Sequence, residues 1–303
     1  MRIIPNRKLF YIFSGILVGG GFVMFLIFGL RLGIDFTGGS LLEIEFVGER
    51  PSLGEIHERL SPLGLGQVIA QPTGERGMFI RTKDISEETH QEILGALAGS
   101  ETEEEVLREL RFESIGPTIG KELKRKSVYS IFTVLVLIIL YIAWAFRKVS
   151  KPVSSWKYGV VAIVALFHDV GIPLGVFSVL GLWGVEVDTL FITALLTVLG
   201  FSVHDTIVVF DRIRENLASA KRGELFEDMV ERSIHQTFGR SLNTSLTVLL
   251  SLLAVFFFGG ESVRYFSLAL MIGVVFGTYS SIFIASPLLV TWHYFSQRKN
   301  VLS

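Results

Sequence analysis

The chain contains no cysteine, which excludes disulfides, thiolate metal sites and cysteine nucleophiles. It also lacks an excess of either charge. With 28 basic against 29 acidic residues, no overall field points to nucleic acid. Most informative is the lack of any charge over long stretches. Leu9–Leu30 runs 22 residues without Asp, Glu, Lys or Arg, Ser127–Phe146 and Ser241–Gly260 run 20 each, and Tyr265–Gln297 runs 33. Tyr158–Val185 holds one charge, Asp169, and Thr189–Phe210 holds one, Asp205. Each stretch can cross a hydrocarbon core of roughly 30 Å at about 1.5 Å per residue, so six transmembrane helices are expected. Half of the residues are hydrophobic, 25 of them Phe, and the mean hydropathy is +0.53, which makes the bilayer the solvent for much of the chain.

Orientation follows from Lys and Arg in the short flanks. Arg2, Arg7 and Lys8 precede the first span; Arg147, Lys148, Lys151 and Lys157 fill the second-to-third link. Arg212, Arg214, Lys221, Arg222 and Arg232 occupy the fourth-to-fifth link, and Arg298 and Lys299 follow the last span. The opposite side shows only Glu186 and Asp188 in one turn and Glu261 and Arg264 in the other. This asymmetry puts both termini in the cytosol. A cleaved signal peptide is the alternative for the first span, but its apolar run is long for one and no A-x-A site follows.

Three regions result: 1–30 with the first span, an extracytoplasmic domain over 31–126, and spans two to six over 127–303. The domain carries 18 acidic and 12 basic residues. Leu41–Phe46 alternates as a strand, and Ser52 with Glu55 forms a capping box before a helix through Ile56, Leu60 and Leu63. Gln67–Ala70 and Met78–Thr82 read as strands around a Pro72–Gly77 turn. Ser86 caps a second helix through Ala98, with a continuation over Glu103–Leu110, and Arg111–Ile115 reads as the last strand. The order βαββαβ predicts a ferredoxin-like α+β layout, which hosts many functions and names none. Gly116-Pro117-Thr118-Ile119-Gly120-Lys121-Glu122 resembles a phosphate loop, yet its glycine spacing is one residue short and Glu122 stands at the magnesium-ligating position. A turn leading into the second span is the better reading.

Burying a carboxylate in hydrocarbon costs at least about 2.5–3.5 kcal/mol, so Asp169 and Asp205 need a reason. Each follows a histidine, His168 and His204. Such pairs also mark a soluble metal-dependent phosphohydrolase family, which the apolar flanks argue against. Asp169 lies twelve residues past Lys157, about 18 Å along a helix and near the midplane. Pro173 cannot donate to its carbonyl, which frees a backbone acceptor at the same level. On the fifth span Arg240, Thr244, Thr247 and Ser251 share one helical face with Asn243 beside it; on the fourth, Thr189, Thr193, Thr197, Gly200 and His204 share another. Two polar stripes on consecutive helices suggest an internal polar seam. Spacing leaves open whether Asp205 and Arg240 form a static ion pair or a proton site in which a movable arginine switches a desolvated carboxylate. His168 and His204 could shuttle protons, but a lone histidine of this kind is more often a hydrogen-bonded packing residue. On the last span Ala269, Gly273, Gly277, Ser281 and Ala285 make a small-residue ridge for close helix contact, with Gly15 and Gly19 a shorter version in the first.

Several segments together resemble the SecF branch of the SecD/SecF protein-export family. They are Gly33–Gly39 (GIDFTGG), Ser114–Leu123 (SIGPTIGKEL), Ala165–Gly175 (ALFHDVGIPLG), Leu195–Asn216 (LLTVLGFSVHDTIVVFDRIREN), Arg240–Ser245 (RSLNTS) and Gly277–Leu289 (GTYSSIFIASPLL). The resemblance implies a non-enzymatic accessory subunit in the bacterial cytoplasmic membrane, working with SecD beside the SecYEG channel, and more loosely with SecA and YajC. It would act on unfolded preprotein, with the proton gradient as energy source and no cofactor. Through the wider resistance-nodulation-division superfamily it implies Asp205 as proton carrier and Arg240 as its switch; His204 and Asp169 are the further relay candidates, and Asn243, Thr244 and Thr247 form the polar seam read from spacing. The family usually has Asn where His204 stands, so His204 either shares the proton or keeps that hydrogen bond. A small-molecule or lipid exporter of the same superfamily and a passive scaffold of the channel are the rivals. An intramembrane hydrolase finds no metal-ligand set or nucleophile pair on facing spans.

Overall fold

A computed structural model describes residues 2–99, 106–147, 154–220 and 223–301. Glu103, Lys148, Lys151, Lys221 and Arg222 lie outside the described residues. The chain divides into two compact units, Leu32–Val128 and a bundle of Met1–Arg31 with Tyr129–Ser303.

Six described helices are long and apolar enough to cross a membrane. They are α1 (Arg7–Phe28), α5 (Pro117–Ala145), α6 (Ser155–Leu180), α7 (Thr189–Ala218), α8 (Phe226–Phe258) and α9 (Glu261–Ser280), the last continued by α10 (Ser286–Val301). Burial separates them sharply. Only 6 % of the apolar window of α1 and of α5 is buried, and 11 % of that of α8, against 50–67 % for α6, α7 and the last span. The bundle therefore has a three-helix centre and a lipid- or partner-facing rim.

Glycines set the closest approaches at that centre. A Cβ on Gly273 would lie 2.0 Å from a methyl of Val198, and one on Gly175 would lie 2.3 Å from the Cα of Gly21. The ridge Ala269–Ala285 is thus a packing surface against α7. In α1, however, Gly15 and Gly19 have nothing within 4 Å of such a Cβ; Gly21 makes the contact instead. Between α9 and α10, Ser281–Ala285 winds as a π-turn, and the Ser286 hydroxyl donates to the Ser281 carbonyl at 3.0 Å. Pro287 follows and has no N–H for the regular ladder, so the helix is rewound rather than ended. At the Lys157 end, the Glu231 carboxylate accepts the backbone N–H groups of Ile3 and Ile4, each at 2.7 Å.

The unit Leu32–Val128 opens with a helical turn, α2 (Ile34–Thr37), and continues β1 (Gly39–Phe46), α3 (Leu53–Leu60), β2 (Ile69–Thr73), β3 (Gly77–Thr82), α4 (Glu87–Ala98) and β4 (Leu107–Ile115). The sheet order is β2-β3-β1-β4 with every pair antiparallel, the ferredoxin-like arrangement. Its core gathers Leu42, Ile44, Phe46, Ile56, Leu60, Met78, Ile80, Ile93 and Leu97. Both halves of the capping box form: Glu55 N–H donates to Ser52 Oγ at 3.3 Å and Ser52 N–H to Glu55 Oε2 at 2.7 Å. Several boundaries differ from the expected ones. The strand β4 begins at Leu107, so the expected helix, to which Val106 still belongs, does not continue over 107–110. The register skips Leu110 between the pairs Glu43–Arg111 and Ile44–Glu109, a bulge that breaks alternation and gives Leu107 and Leu110 a helical spacing. The strand β2 also runs through Pro72 and Thr73, tightening the turn. Finally, Pro117 starts α5 directly, as proline does at the first helical position. The phosphate-loop look-alike is therefore that helix's first turns, and it sits against the glycine pair of α2–β1. A Cβ on Gly120 would lie 2.9 Å from Gly38 N, and one on Gly38, whose φ is +74°, would lie 2.8 Å from Pro117 Cα.

Candidate functional site

Three helices of the bundle converge on Asp169, which is fully buried. Its Oδ1 accepts from His168 Nδ1 at 2.8 Å. Its Oδ2 accepts from the hydroxyls of Ser202 on α7 and Ser280 on α9, the latter at 2.8 Å. Close helix approach makes this possible, because a Cβ on Gly277 would sit 3.1 Å from that of Ser202. Pro173 lies within α6, which stays helical throughout, so the carbonyl it leaves unpaired belongs to a residue packed in protein.

Asp205 lies one turn along α7 from Ser202 and is 6 % exposed. The Ser241 hydroxyl of α8 donates to its Oδ1 at 2.5 Å, and Thr278 of α9 faces the same carboxyl group. Thr278 is hydrogen-bonded to Ser245, and Thr206 to Ser281 at 2.7 Å. Oδ2 of Asp205 is buried without a hydrogen-bond partner among the described residues. Two carboxyl groups therefore share a seam of seven hydroxyls: Ser202, Thr206, Ser241, Ser245, Thr278, Ser280 and Ser281.

That seam is offset from the expected one. Arg240, Asn243, Thr244, Thr247 and Ser251 do share a face of α8, but the face is exposed, as are Thr193, Thr197 and His204 on α7. Thr244 donates to the Arg240 carbonyl at 3.0 Å and Thr247 to that of Asn243 at 2.8 Å. Asp205 and Arg240 form no ion pair within the described residues. Of the two His-Asp pairs, His168 reaches its neighbour and His204 points outward. The buried hydroxyls were legible at Ser241 and Ser245, one residue on from the stripe through Arg240. No group of three or more metal-ligating side chains occurs among the described residues.

Six apolar helices with carboxyl groups buried at membrane depth, and an α+β domain inserted after the first, define a polytopic membrane protein whose centre can hold protons or charge. Comparison with known proteins narrows the class. The family described as "Protein export membrane protein SecD/SecF, C-terminal" matches residues 98–294, and "SecD/SecF GG Motif" matches residues 23–48. The Protein translocase subunit SecF of Thermobaculum terrenum is 45 % identical over 307 residues, covering 96 % of this chain and 93 % of that relative. That of Anaerolinea thermophila is 41 % identical, with 96 % and 94 % covered. The crystal structure of SecDF, a translocon-associated membrane protein from Thermus thermophilus, superposes with a TM-score of 0.81 at 34 % identity, over 96 % of this chain and 38 % of the solved one. The chain belongs to the SecD/SecF family of protein-export membrane proteins. That membership puts it among the accessory membrane subunits of protein translocation.

Proposed function

We propose that this chain, together with a SecD partner, uses the proton-motive force to promote export, with Asp205 as proton carrier and Arg240 as the cation that switches it. The observation that carries the reading is the Asp205 carboxyl group: it is buried within the apolar run of α7 and met by hydroxyls of α8 and α9, with no Lys or Arg bonded to it among the described residues. The outward stripe of Arg240, Asn243, Thr244 and Thr247, with His204 on the neighbouring helix, supports a partner. An exposed guanidinium at the edge of the apolar run of α8 is best satisfied where another transmembrane segment bearing an acid covers it. SecD is the partner that fits, since this chain spans two-fifths or less of the solved SecDF chains. Arg240 then stands between that acid and Asp205, and protonation of either carboxyl group releases it toward the other. One charge crossing the membrane is worth about 2.3 kcal/mol per 100 mV, so repeated strokes can bias chain movement without ATP, metal or cofactor on this subunit.

The remaining assignments belong to the same proposal. SecYEG is the channel served, with SecA and YajC as looser associates and an unfolded preprotein as the moving load. The location is the cytoplasmic membrane with both termini in the cytosol and the α+β domain outside. The test is preprotein export into inverted vesicles carrying the full complex. Asp205→Asn and Arg240→Met should each abolish stimulation by the proton gradient while leaving ATP-driven export in place. Full stimulation in both variants would leave a passive scaffold as the correct reading.

A further inference from the structure

We propose that His168 and Asp169 hold one shared proton and form a second protonation site, coupled to Asp205 through the hydroxyl seam. The inference rests on the proton-carrier reading of Asp205 and extends it to a group on a different helix.

The geometry suits two states of one proton. In the first, His168 is an imidazolium whose Nδ1–H donates to an ionised Asp169 at 2.8 Å. In the second, the proton has left Nδ1 and the N–H bond is replaced by an O–H bond on Oδ1, which donates back to a neutral ring. No other atom moves and no charge leaves the pair. Both states are accommodated. The ring of Tyr279 is stacked on His168 at 5.9 Å and 22°, and an aromatic face favours the cation. The hydroxyls of Ser202 and Ser280 both meet Oδ2, where they serve an ionised carboxylate as donors and turn to satisfy a neutral one. Among the described residues no Lys or Arg bonds to the pair, so none pins Asp169 as a permanent anion.

A chain of hydroxyls joins the two carboxyl groups, and each hydroxyl can turn as donor or acceptor. Ser202, which donates to Asp169, is one turn from Asp205, and Ser280, its other hydroxyl donor, adjoins Ser281, which bonds Thr206 beside Asp205. The titratable groups facing the pair are His168 itself, Asp205 from α7 and Tyr279 from α9. From α1, Val18 and Gly21 pack against Gly171, and Ser14 is bonded to the Tyr279 hydroxyl.

The experiment is infrared titration of the full chain with its SecD partner in lipid vesicles, following the protonated-carboxyl band against pH. The wild type should show two titrating components. Asp169→Asn should remove one and move the midpoint of the other by at least threefold in proton concentration, while Asp205→Asn should remove the other. His168→Gln, which keeps a donor but cannot bind the proton, should keep the Asp169 component and displace its midpoint. Ser280→Ala provides a milder check should the aspartate variant fail to assemble, and it should shift the frequency of the Asp169 component. A spectrum unchanged by Asp169→Asn, or by Ser280→Ala where that variant replaces it, would overturn this inference and leave Asp205 untouched. A spectrum unchanged by Asp205→Asn would instead remove the reading beneath it.

Discussion

The closest approach in the bundle gives its sharpest prediction. Replacing Gly273 by alanine places a Cβ 2.0 Å from one methyl of Val198 and 2.6 Å from the other, where real contacts stay above about 3 Å. Val198 is 1 % exposed and branched at Cβ, so its χ1 has little freedom to swing aside. Overpacking of this kind costs about 1–3 kcal/mol. If the strain is relieved by moving α9 outward by about 1 Å, the Ser280–Asp169 hydrogen bond lengthens from 2.8 Å past the useful limit. That loss adds about 1.5–3 kcal/mol when the acceptor is charged. Val198→Ala alone should cost about 1–3 kcal/mol through its cavity, yet in the double variant the new Cβ partly fills that space. The assay is a double-mutant cycle on reversible unfolding in detergent. Gly273→Ala and Val198→Ala should each destabilise, and their combination should be more stable than the sum by at least about 1 kcal/mol. Strict additivity, or a Gly273→Ala protein as stable as the parent, would refute the packing argument.

Asp188 caps α7 by accepting from Phe191 N–H at 2.8 Å, so Asp188→Ala should cost about 1 kcal/mol in the same unfolding assay. Gly38→Ala should destabilise the α+β unit by more than an ordinary turn glycine, because a left-handed φ and a 2.8 Å clash with Pro117 act together; loss of protease resistance would report it. The backbone and side-chain hydrogen bonds of Ser52 hold the Glu55 carboxyl below its usual range. A folded-state value below the unfolded one contributes stability above the unfolded value and loses it as pH falls through the folded one. The stability gap between the wild type and Ser52→Ala should therefore narrow as acid is added below about pH 4. With no native cysteine, Arg240→Cys offers one clean thiol: it should react with a membrane-permeant reagent in the isolated chain and become protected when the partner is bound.

Much of this architecture was legible because it rests on strong local signals. Charge-free runs fixed the spans within a few residues at most ends, and Ser52-x-x-Glu55 announced a helix that forms with both capping bonds. The failures were geometrical. A bulge at Leu110 gave a strand helical spacing, and residue identity alone carries no sign of a bulge. The polar face of α8 was read through Arg240, yet burial selects Ser241 and Ser245, about 100° around the helix. Periodicity groups residues by face; it does not say which face meets protein when the outer face is equally polar. Gly21 was missed beside Gly15 and Gly19 for the same reason, since its significance depends on Gly175 opposite.

The packing of α9 and the chemistry of Asp169 are one arrangement. A serine hydroxyl reaches only about 2.5 Å from its Cα, so it can meet a carboxylate on a neighbouring helix only where the backbones run unusually close. Gly273 and Gly277 supply that closeness against Val198 and Ser202, and Ser280 and Ser281 follow within the next turn. Ser280 and Ser281 are neighbours about 100° apart around the helix, so one meets Asp169 while the other meets Thr206. Larger residues on the ridge would keep an apolar bundle folded but would draw the hydroxyls out of reach of both acids. The small-residue ridge is therefore what makes a buried carboxylate tolerable here, and what would let helix movement of an ångström or so change which hydroxyls serve it.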